Sequence, residues 1–550
     1  MRRTSLRSLR SHVRSRVRSS GLSIGGLSLG AAALLLASLA ALGAAGCGPA
    51  HEQADANCPG ANLDSDPLNC GACGNTCNSG ELCVAGECST DCQPGQTVEC
   101  YDGAVETKGV GPCRAGSRRC LPDGTWSVCQ GQIVPSTEVC NNGIDENCSG
   151  QADENSDADG DGFTTCDGDC CDSGECGDPE LVNPGAFDSP GNTVDDDCDG
   201  QVDNTQVTCD MGLASNTNDA LDFARAMDLC NQALEQTRRW GVIEAKLTLP
   251  NGQGTPANDA HAIRPNFGNL QPQAGASFAL ISSGNAAAPG QTNPSHIDFQ
   301  LSAMHNTESP FPADWLAANG GTLPNTPGCP PINSGTAAED PIMLTLRIRV
   351  PSNAKSFKFA SNFYSAEFPE WVCSPFNDFF VVLLDSTWND DATHMPRNPA
   401  DKNLAFYKQP QTGQIYPVGI NLATGNTGLF TQCVNGTTGC FGEESTISTC
   451  TSTAQLTGTG FDLNAPGSCD SNSLLGGATG WLETSGNVVG GEIITLRIAM
   501  WDTSDHRLDS LVVLDDFEWS VDASDPGTVI GRGTPPVRLT SDPASLSSLQ

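Results

Sequence analysis

Twenty of the 27 cysteines in this 550-residue chain lie before Asp210, and that crowding limits what the first half can become. A reducing cytosol would not keep such a chain crosslinked, so the expected compartment is oxidising and the region is held by disulfides. Between Cys58 and Cys129 large apolar residues are too sparse to bury much core, which makes crosslinks the expected substitute for packing. The Cys70-x2-Cys73 spacing would also suit zinc. With no histidine beside it in an exported chain, disulfides are the expected use. Setting aside the early Cys47 leaves an even number of cysteines, which predicts no free thiol. From Cys209 onward the set is Cys209, Cys230, Cys329, Cys373, Cys433, Cys440, Cys450 and Cys469, and these are expected to pair among themselves.

Seven arginines precede the first acid, Glu52, and an apolar run follows them from Leu27 to Ala45. A basic start, an apolar stretch and small residues after it read as an export signal over residues 1–46. Ala44-Ala45-Gly46-Cys47 resembles a bacterial lipobox, which implies lipidation of Cys47 and a polar linker over residues 47–57. Ordinary signal cleavage near Ala45 is the alternative. Without the signal, 20 basic residues face 65 acidic ones. That surface repels nucleic acid and anionic lipid, so nucleic acid is not expected as a partner and membrane contact is expected through the lipid alone. The Cys-rich stretch, set at residues 58–137 and marked by Asn69-Cys70-Gly71-Ala72-Cys73-Gly74-Asn75-Thr76-Cys77, resembles small modules of bacterial surface proteins.

Residues 138–204 hold 20 acids and no Lys or Arg. An internal repeat runs through them: Asn142-Gly143-Ile144-Asp145-Glu146-Asn147-Cys148-Ser149-Gly150-Gln151-Ala152-Asp153 returns as Asn192-Thr193-Val194-Asp195-Asp196-Asp197-Cys198-Asp199-Gly200-Gln201-Val202-Asp203. Between the copies lies Asp157-x-Asp159-x-Asp161-Gly162. Calcium takes six to eight oxygens, and carboxylates at alternate positions wrap one ion where a glycine permits the turn. Asp157, Asp159 and Asp161 are the expected side-chain ligands, Phe163 a carbonyl ligand, and Asp167 or Asp169 the closing carboxylate. The twelfth loop position, where an EF-hand places its bidentate acid, is Gly168. The loop instead resembles those of thrombospondin type-3 repeats or dockerins. Asp195, Asp197, Asp199 and Asp203 are the second, less complete set. A solvated acidic linker is the bland alternative. The repeated unit resembles a metal-binding motif of bacterial surface proteins named after a copper-binding protein of methane oxidisers. Copper prefers imidazole or sulfur, and this stretch has neither His nor Met, so Ca2+ is the expected ion and copper the alternative.

Residues 207–522 read as one mainly β head, a β-sandwich or jelly roll with one N-terminal helix. Asn218 or Asp219 caps that helix, and Leu221, Ala224, Met227 and Leu229 form its apolar face. Leu344, Leu346, Ile348 and Val350 alternate with polar neighbours, as do Ile494, Leu496, Ile498 and Met500. Phe379 to Leu384 is a continuous apolar run that suits a buried central strand, and Ser510 to Leu514 is a further apolar strand. Residues 523–550 are Pro/Ser-rich and read as a disordered tail.

The stretch Ala360-Ser361-Asn362-Phe363-Tyr364-Ser365-Ala366-Glu367-Phe368-Pro369-Glu370-Trp371 and the stretch Trp501-Asp502-Thr503-Ser504-Asp505-His506-Arg507-Leu508-Asp509-Ser510 resemble the choice-of-anchor L family of bacterial surface proteins over about residues 207–520. That resemblance implies an extracellular location and no particular reaction. Glu367, Asn377, Asp378, Asp502, Asp505 and Asp509 are read first as turn-capping residues, with a second calcium site or a sugar patch as the alternative. No G-x-S-x-G, H-E-x-x-H or phosphate-loop fingerprint occurs. The sequence therefore reads as a non-enzymatic, calcium-binding lipoprotein at the outer membrane or cell surface of a Gram-negative bacterium, or otherwise secreted. Its head would serve adhesion or recognition, with an extracellular glycan or a surface protein as partner. A glycan hydrolase with paired carboxylates, or a copper-binding surface protein, is the rival.

Overall fold

The computed structural model describes residues 61–531 apart from positions 79–80, 85, 90–91, 93, 123, 141, 154–156, 173–175, 205–207, 301–304, 333–336, 425–426, 442–445, 463–468 and 470–475. The expected export signal, Cys47, the linker over 47–57 and most of the tail lie outside the described residues. Two compact units are present, one formed by residues up to Val98 with Arg118–Val128, the other by Glu99–Ser117 with everything from Cys129 on.

In the first unit, β1 (Leu82–Val84) pairs antiparallel with β2 (Glu87–Ser89). Crosslinks Cys70–Cys83, Cys77–Cys88 and Cys92–Cys120 hold this little-cored segment. Cys73 is also disulfide-bonded, so Cys70 and Cys73 both serve as crosslinks, as expected. Strands β3 (Thr97–Cys100) and β4 (Gly116–Arg119) form a second two-stranded sheet.

The second unit begins as an acidic module with no strand between Arg119 and Gly241 among the described residues. Cys100–Cys129, Cys113–Cys148, Cys140–Cys166, Cys170–Cys198 and Cys171–Cys176 crosslink it. The head follows. Helix α1 (Ala220–Arg225) starts at Asp219, whose carboxylate accepts from the Leu221 N–H at 3.0 Å. It is shorter than the apolar pattern predicts: Met227 and Leu229 are buried, but just beyond its end. Cys209 and Cys230 close this segment as expected.

The remaining strands are β5 (Gly241–Thr248), β6 (His261–Arg264), β7 (Phe278–Ser282), β8 (Glu308–Ser309), β9 (Ala338–Arg349), β10 (Ser356–Ser365), β11 (Phe379–Asp385), β12 (Phe406–Lys408), β13 (Ile415–Pro417), β14 (Thr437–Thr438), β15 (Thr446–Ile447), β16 (Gly477–Ala478), β17 (Leu482–Asn487), β18 (Ile493–Asp502), β19 (Ser510–Ser520) and β20 (Gly527–Ile530). One antiparallel sheet runs β20-β17-β10-β19-β7-β6, with β16 beside β10; the other runs β11-β18-β9-β5, with β8 beside β9. Between them lies one apolar core. Leu344, Leu346 and Ile348 of β9, Leu496 and Ile498 of β18, and Phe380 and Val382 of β11 meet Phe357 and Phe359 of β10 and Val512, Leu514 and Phe517 of β19. The alternation in the sequence thus produces a β-sandwich.

Two expectations change. Strand β11 is at a sheet edge, not its centre. Its run is apolar throughout because Phe379, Val381 and Leu383 pack outward under Trp315 of helix α2 (Ala313–Ala318), while Phe380, Val382 and Leu384 face the core. Loop 402–418 closes the free edge through Leu384 N–H to Lys402 O and Phe380 N–H to Val418 O. The tail also starts later than expected: β20 pairs with β17 from Ser485↔Gly527 to Leu482↔Ile530. Cys329–Cys373, Cys433–Cys450 and Cys440–Cys469 complete the pairing expected within the head.

Candidate metal centre

In the Asp157 loop, side chains first satisfy the loop's own backbone. Asp157 Oδ1 accepts from Gly160 N–H at 2.7 Å and Oδ2 from Gly162 N–H at 2.9 Å. Asp159 Oδ1 accepts from Asp161 N–H, and Asp161 Oδ1 from Phe163 N–H. Gly162 has φ +93°, a left-handed conformation that favours glycine, and the Arg238 guanidinium lies against it. The 3-10 turn Thr165–Asp167 then ends at Gly168 in the left-handed region, which returns the chain toward the loop. Buried Asp169 arrives there, with Oδ1 accepting from Cys171 N–H at 2.8 Å.

What remains is a set of oxygens. Asp159, Asp161 and Asp169 each leave Oδ2 buried with no hydrogen-bond partner, and each of the three offers an oxygen within 4.8 Å of the others'. Asp157, Asp159 and Asp172 form an overlapping trio by the same measure. Buried polar atoms are rarely left unpaired, and three carboxylate oxygens facing one another repel by about 1 kcal/mol per pair even in water and about 4 at intermediate dielectric. Burial, then the charges of Asp161, Asp172 and Asp159, push the Asp169 carboxyl up to about 6 against the Cys171 N–H.

The sequence reading is sharpened by these positions. Asp169, not Asp167, joins the loop; Asp167 instead lies in the turn capped by Thr164, and its Oδ2 accepts from the Thr164 hydroxyl at 2.9 Å. Phe163 is buried with its ring against Gly185, where a Cβ would meet it at 2.7 Å. Asp172 was not foreseen as a ligand, because it lies beyond any local loop pattern and is brought back by the chain reversal.

The repeat has the same fold twice. Asp145 accepts from Ser149 and Gly150 N–H, and Asp195 from Asp199 and Gly200 N–H. Asp153 holds the Asn142 and Gly143 amides, as Asp203 holds those of Asn192 and Thr193. Asp203 is therefore a staple of the turn. Asp195, Asp197 and Asp199 do converge within 4.8 Å, and burial followed by the Asp199 charge pushes Asp197 up to about 6. In the first copy the same positions are Asp145, Asn147 and Ser149, a D-x-N-x-S-G spacing visible in the sequence.

The module is seated on the head. Asn353 Oδ1 accepts from Phe187 N–H at 3.1 Å and its amide donates to Phe187 O at 2.8 Å. Ser352 N–H donates to Gly185 O, and its hydroxyl to Asn183 Oδ1. The Phe187 ring belongs to the sandwich core. In the head itself, Glu367, Asp378, Asp502 and Asp509 are all buried at one end of the sandwich. Burial and neighbouring acids push Glu367 and Asp502 well up, and Asp378 to about 8. Asn377 fixes the Asn421 amide, and Asp505 caps Arg507 N–H, as turn residues do. Trp501 and Trp519 are core aromatics.

Residues 332–518 match the family model of the choice-of-anchor L domain. Residues 135–154 and 178–204 match the family described as "Putative metal-binding motif". These are the two repeat copies, and the Asp157–Asp172 cluster lies between them. Together the matches point to a surface or extracellular protein with a metal-binding segment. No curated protein and no solved structure matches the chain. No helix among the described residues is long and apolar enough to cross a membrane.

Proposed function

We propose that the chain is an exported lipoprotein, held at the cell surface through Cys47, whose acidic module binds calcium and thereby fixes the approach to a β-sandwich head used for adhesion or recognition. The observation that carries the calcium reading is the convergence of carboxylate oxygens from Asp159, Asp161 and Asp169 within 4.8 Å of one another, beside a buried, unpaired Oδ2 on each residue. An all-oxygen set suits a hard cation. It does not suit copper: the module has no His or Met, and its cysteines are disulfide-bonded. With no bidentate acid at the loop's end, affinity should fall near the extracellular range, about 10⁻⁴–10⁻³ M.

Calorimetric titration of the mature chain with calcium decides. Asp159→Ala with Asp161→Ala should remove most of the heat assigned to the first loop. Copper(II) binding far more tightly than calcium, with calcium leaving proteolysis of the module unchanged, would return the copper reading. For the anchor, Cys47→Ala should move the protein from the membrane to the soluble fraction; retention at wild-type level places the anchor elsewhere. Weighing against the hydrolase alternative, the acids that converge in the head are enclosed, with Glu367, Asp378 and Asp502 at most 3% exposed, so a sugar has no route to them. A more accessible place for a head ligand is an open cavity of about 420 Å³ on the β5–β9–β18 face, lined by Lys246, Phe311, Arg347 and Arg497 among others.

A further inference from the structure

One group of acids in the head, away from the acidic module, also contains a histidine. One oxygen each of Glu308 and Glu339 and one ring nitrogen of His506 lie within 4.8 Å of one another. Strand register brings the two glutamates together: Glu308 of β8 stands directly opposite Glu339 of β9. Like charges so placed destabilise a sheet unless something offsets them. His506 comes from the turn between β18 and β19, and its Nε2 is 3.3 Å from Glu339 Oε2. Neighbouring side chains on a strand leave by opposite faces, yet Glu339 and Asp340 both reach this ring. The strand is irregular there: Asp340 has φ +43°, and the β9–β18 register slips between Met500 and Asp502. Irregularities of this kind re-aim side chains beside functional sites. Buried Asp340 accepts from the Thr307 N–H at 2.8 Å, and its Oδ2 stands 3.0 Å from His506 Nδ1. That approach is an ion-pair contact, not an aligned hydrogen bond. His506 Nδ1 and Glu339 Oε2 are both buried atoms without a hydrogen-bond partner.

The 3.3 Å between Nε2 and Oε2 is long for an N–H···O hydrogen bond, which runs about 2.7–3.2 Å. It suits two ligands of one ion: donor atoms about 2.0–2.1 Å from a tetrahedral zinc lie about 3.3 Å apart. We infer that Glu308, Glu339 and His506 bind a divalent transition-metal ion, zinc in class, where β8 meets β9, with Asp340 as the carboxylate behind the imidazole. An imidazole nitrogen beside carboxylates favours zinc over calcium, which takes oxygen ligands. Metal-bound histidines usually set their second ring nitrogen against a carboxylate, the place that Asp340 holds. Burial raises the Glu339 carboxyl above its ordinary range; the His506 charge opposes this, and Glu308, Asp340 and Asp505 add to it. A dication relieves that crowding. Glu308 is exposed, so an ion has a path from solvent, and three protein ligands leave a fourth position open. The site uses no residue of the acidic module and does not depend on the calcium reading.

The test uses the full mature chain with its disulfides intact. Dialysis against micromolar zinc chloride, with calcium chloride at about 1 mM to fill the oxygen-only sites, is followed by elemental analysis. His506→Gln should lower the zinc count by one ion per chain and leave the calcium count unchanged. Glu308→Gln, at an exposed position, should weaken zinc by about tenfold or more in calorimetric titration, and it stands in should His506→Gln fail to fold. Cobalt(II) in place of zinc should show the visible absorption of a tetrahedral site, lost in His506→Gln. An equal zinc count in the native and His506→Gln chains, or an affinity indifferent to Glu308→Gln, overturns the proposal and leaves a protonated imidazole as the counter-charge. Calcium displacing zinc from these residues overturns it as well. Failure of the loop sites is read separately, from the calcium count of the native chain.

Discussion

The acidic module and the sandwich head belong to one compact unit, yet they keep their shape by different means. In the module, four disulfides from Cys113–Cys148 to Cys171–Cys176 and a web of hydrogen bonds from backbone amides to carboxylates do what a core does elsewhere. In the head, a continuous apolar core does it, and the crosslink Cys433–Cys450 is itself packed into that core. The lesson concerns carboxylates. In the module they are turn staples, and Asp159, Asp161 and Asp169 each keep one oxygen unpaired. In the head, Glu367, Asp378, Asp502 and Asp509 are buried near the same strand ends, whereas buried Asp210, Asp340 and Asp515 each accept from backbone amides elsewhere.

The largest expected difference comes from breaking the core. Phe517→Ala, which removes a ring stacked on Phe357 at 5.1 Å, should cost about 3–5 kcal/mol of head stability by denaturant unfolding, with loop calcium binding retained below the transition. Equal loss of both functions at once would erase the distinction between the regions. Removal of one module crosslink, Cys140→Ser with Cys166→Ser, should cost about 2–5 kcal/mol locally and expose residues 138–204 to protease while the head's far-ultraviolet signal persists.

Phe187→Ala sharpens the comparison at the point where module and head meet. It should cost about 3 kcal/mol and free the module to protease without changing its calcium affinity more than a few-fold. Removing calcium comes next. With a dissociation constant near 10⁻⁴ M, calcium at 100 times that level stabilises the module by about 2.7 kcal/mol, so chelation should shift its proteolysis accordingly.

The smallest effect is a surface ion pair. Arg497 donates two hydrogen bonds to Asp314, and with Lys402 beside it this holds the Asp314 carboxyl below the usual range. A depressed carboxyl stabilises above its unfolded pKa, and that contribution is lost as pH falls below it toward the folded value. Asp314→Asn should therefore cost at most about 1 kcal/mol at pH 7, since the pair is part-exposed, and progressively less in acid. An effect that grows on acidification would contradict the assignment.

Much of this molecule was legible in its sequence. Alternation at Leu344–Val350 and Ile494–Met500 identified core strands because side chains of period two must face one side of a sheet. Parity of the head's cysteines anticipated that they would pair among themselves, and the Asp157–Gly162 spacing located the loop. What the sequence did not determine was everything set by long-range register. Asp169 over Asp167, and the return of Asp172, depend on a chain reversal at Gly168. Strand β11 reads as central because both its faces are covered, and only the sheet order places it at an edge. Asp378 and Asp502 stand 124 positions apart and look like turn caps in isolation. The pairing of β11 with β18 brings them face to face, since a carboxylate's role is decided by which other charges the fold puts within a few ångströms of it.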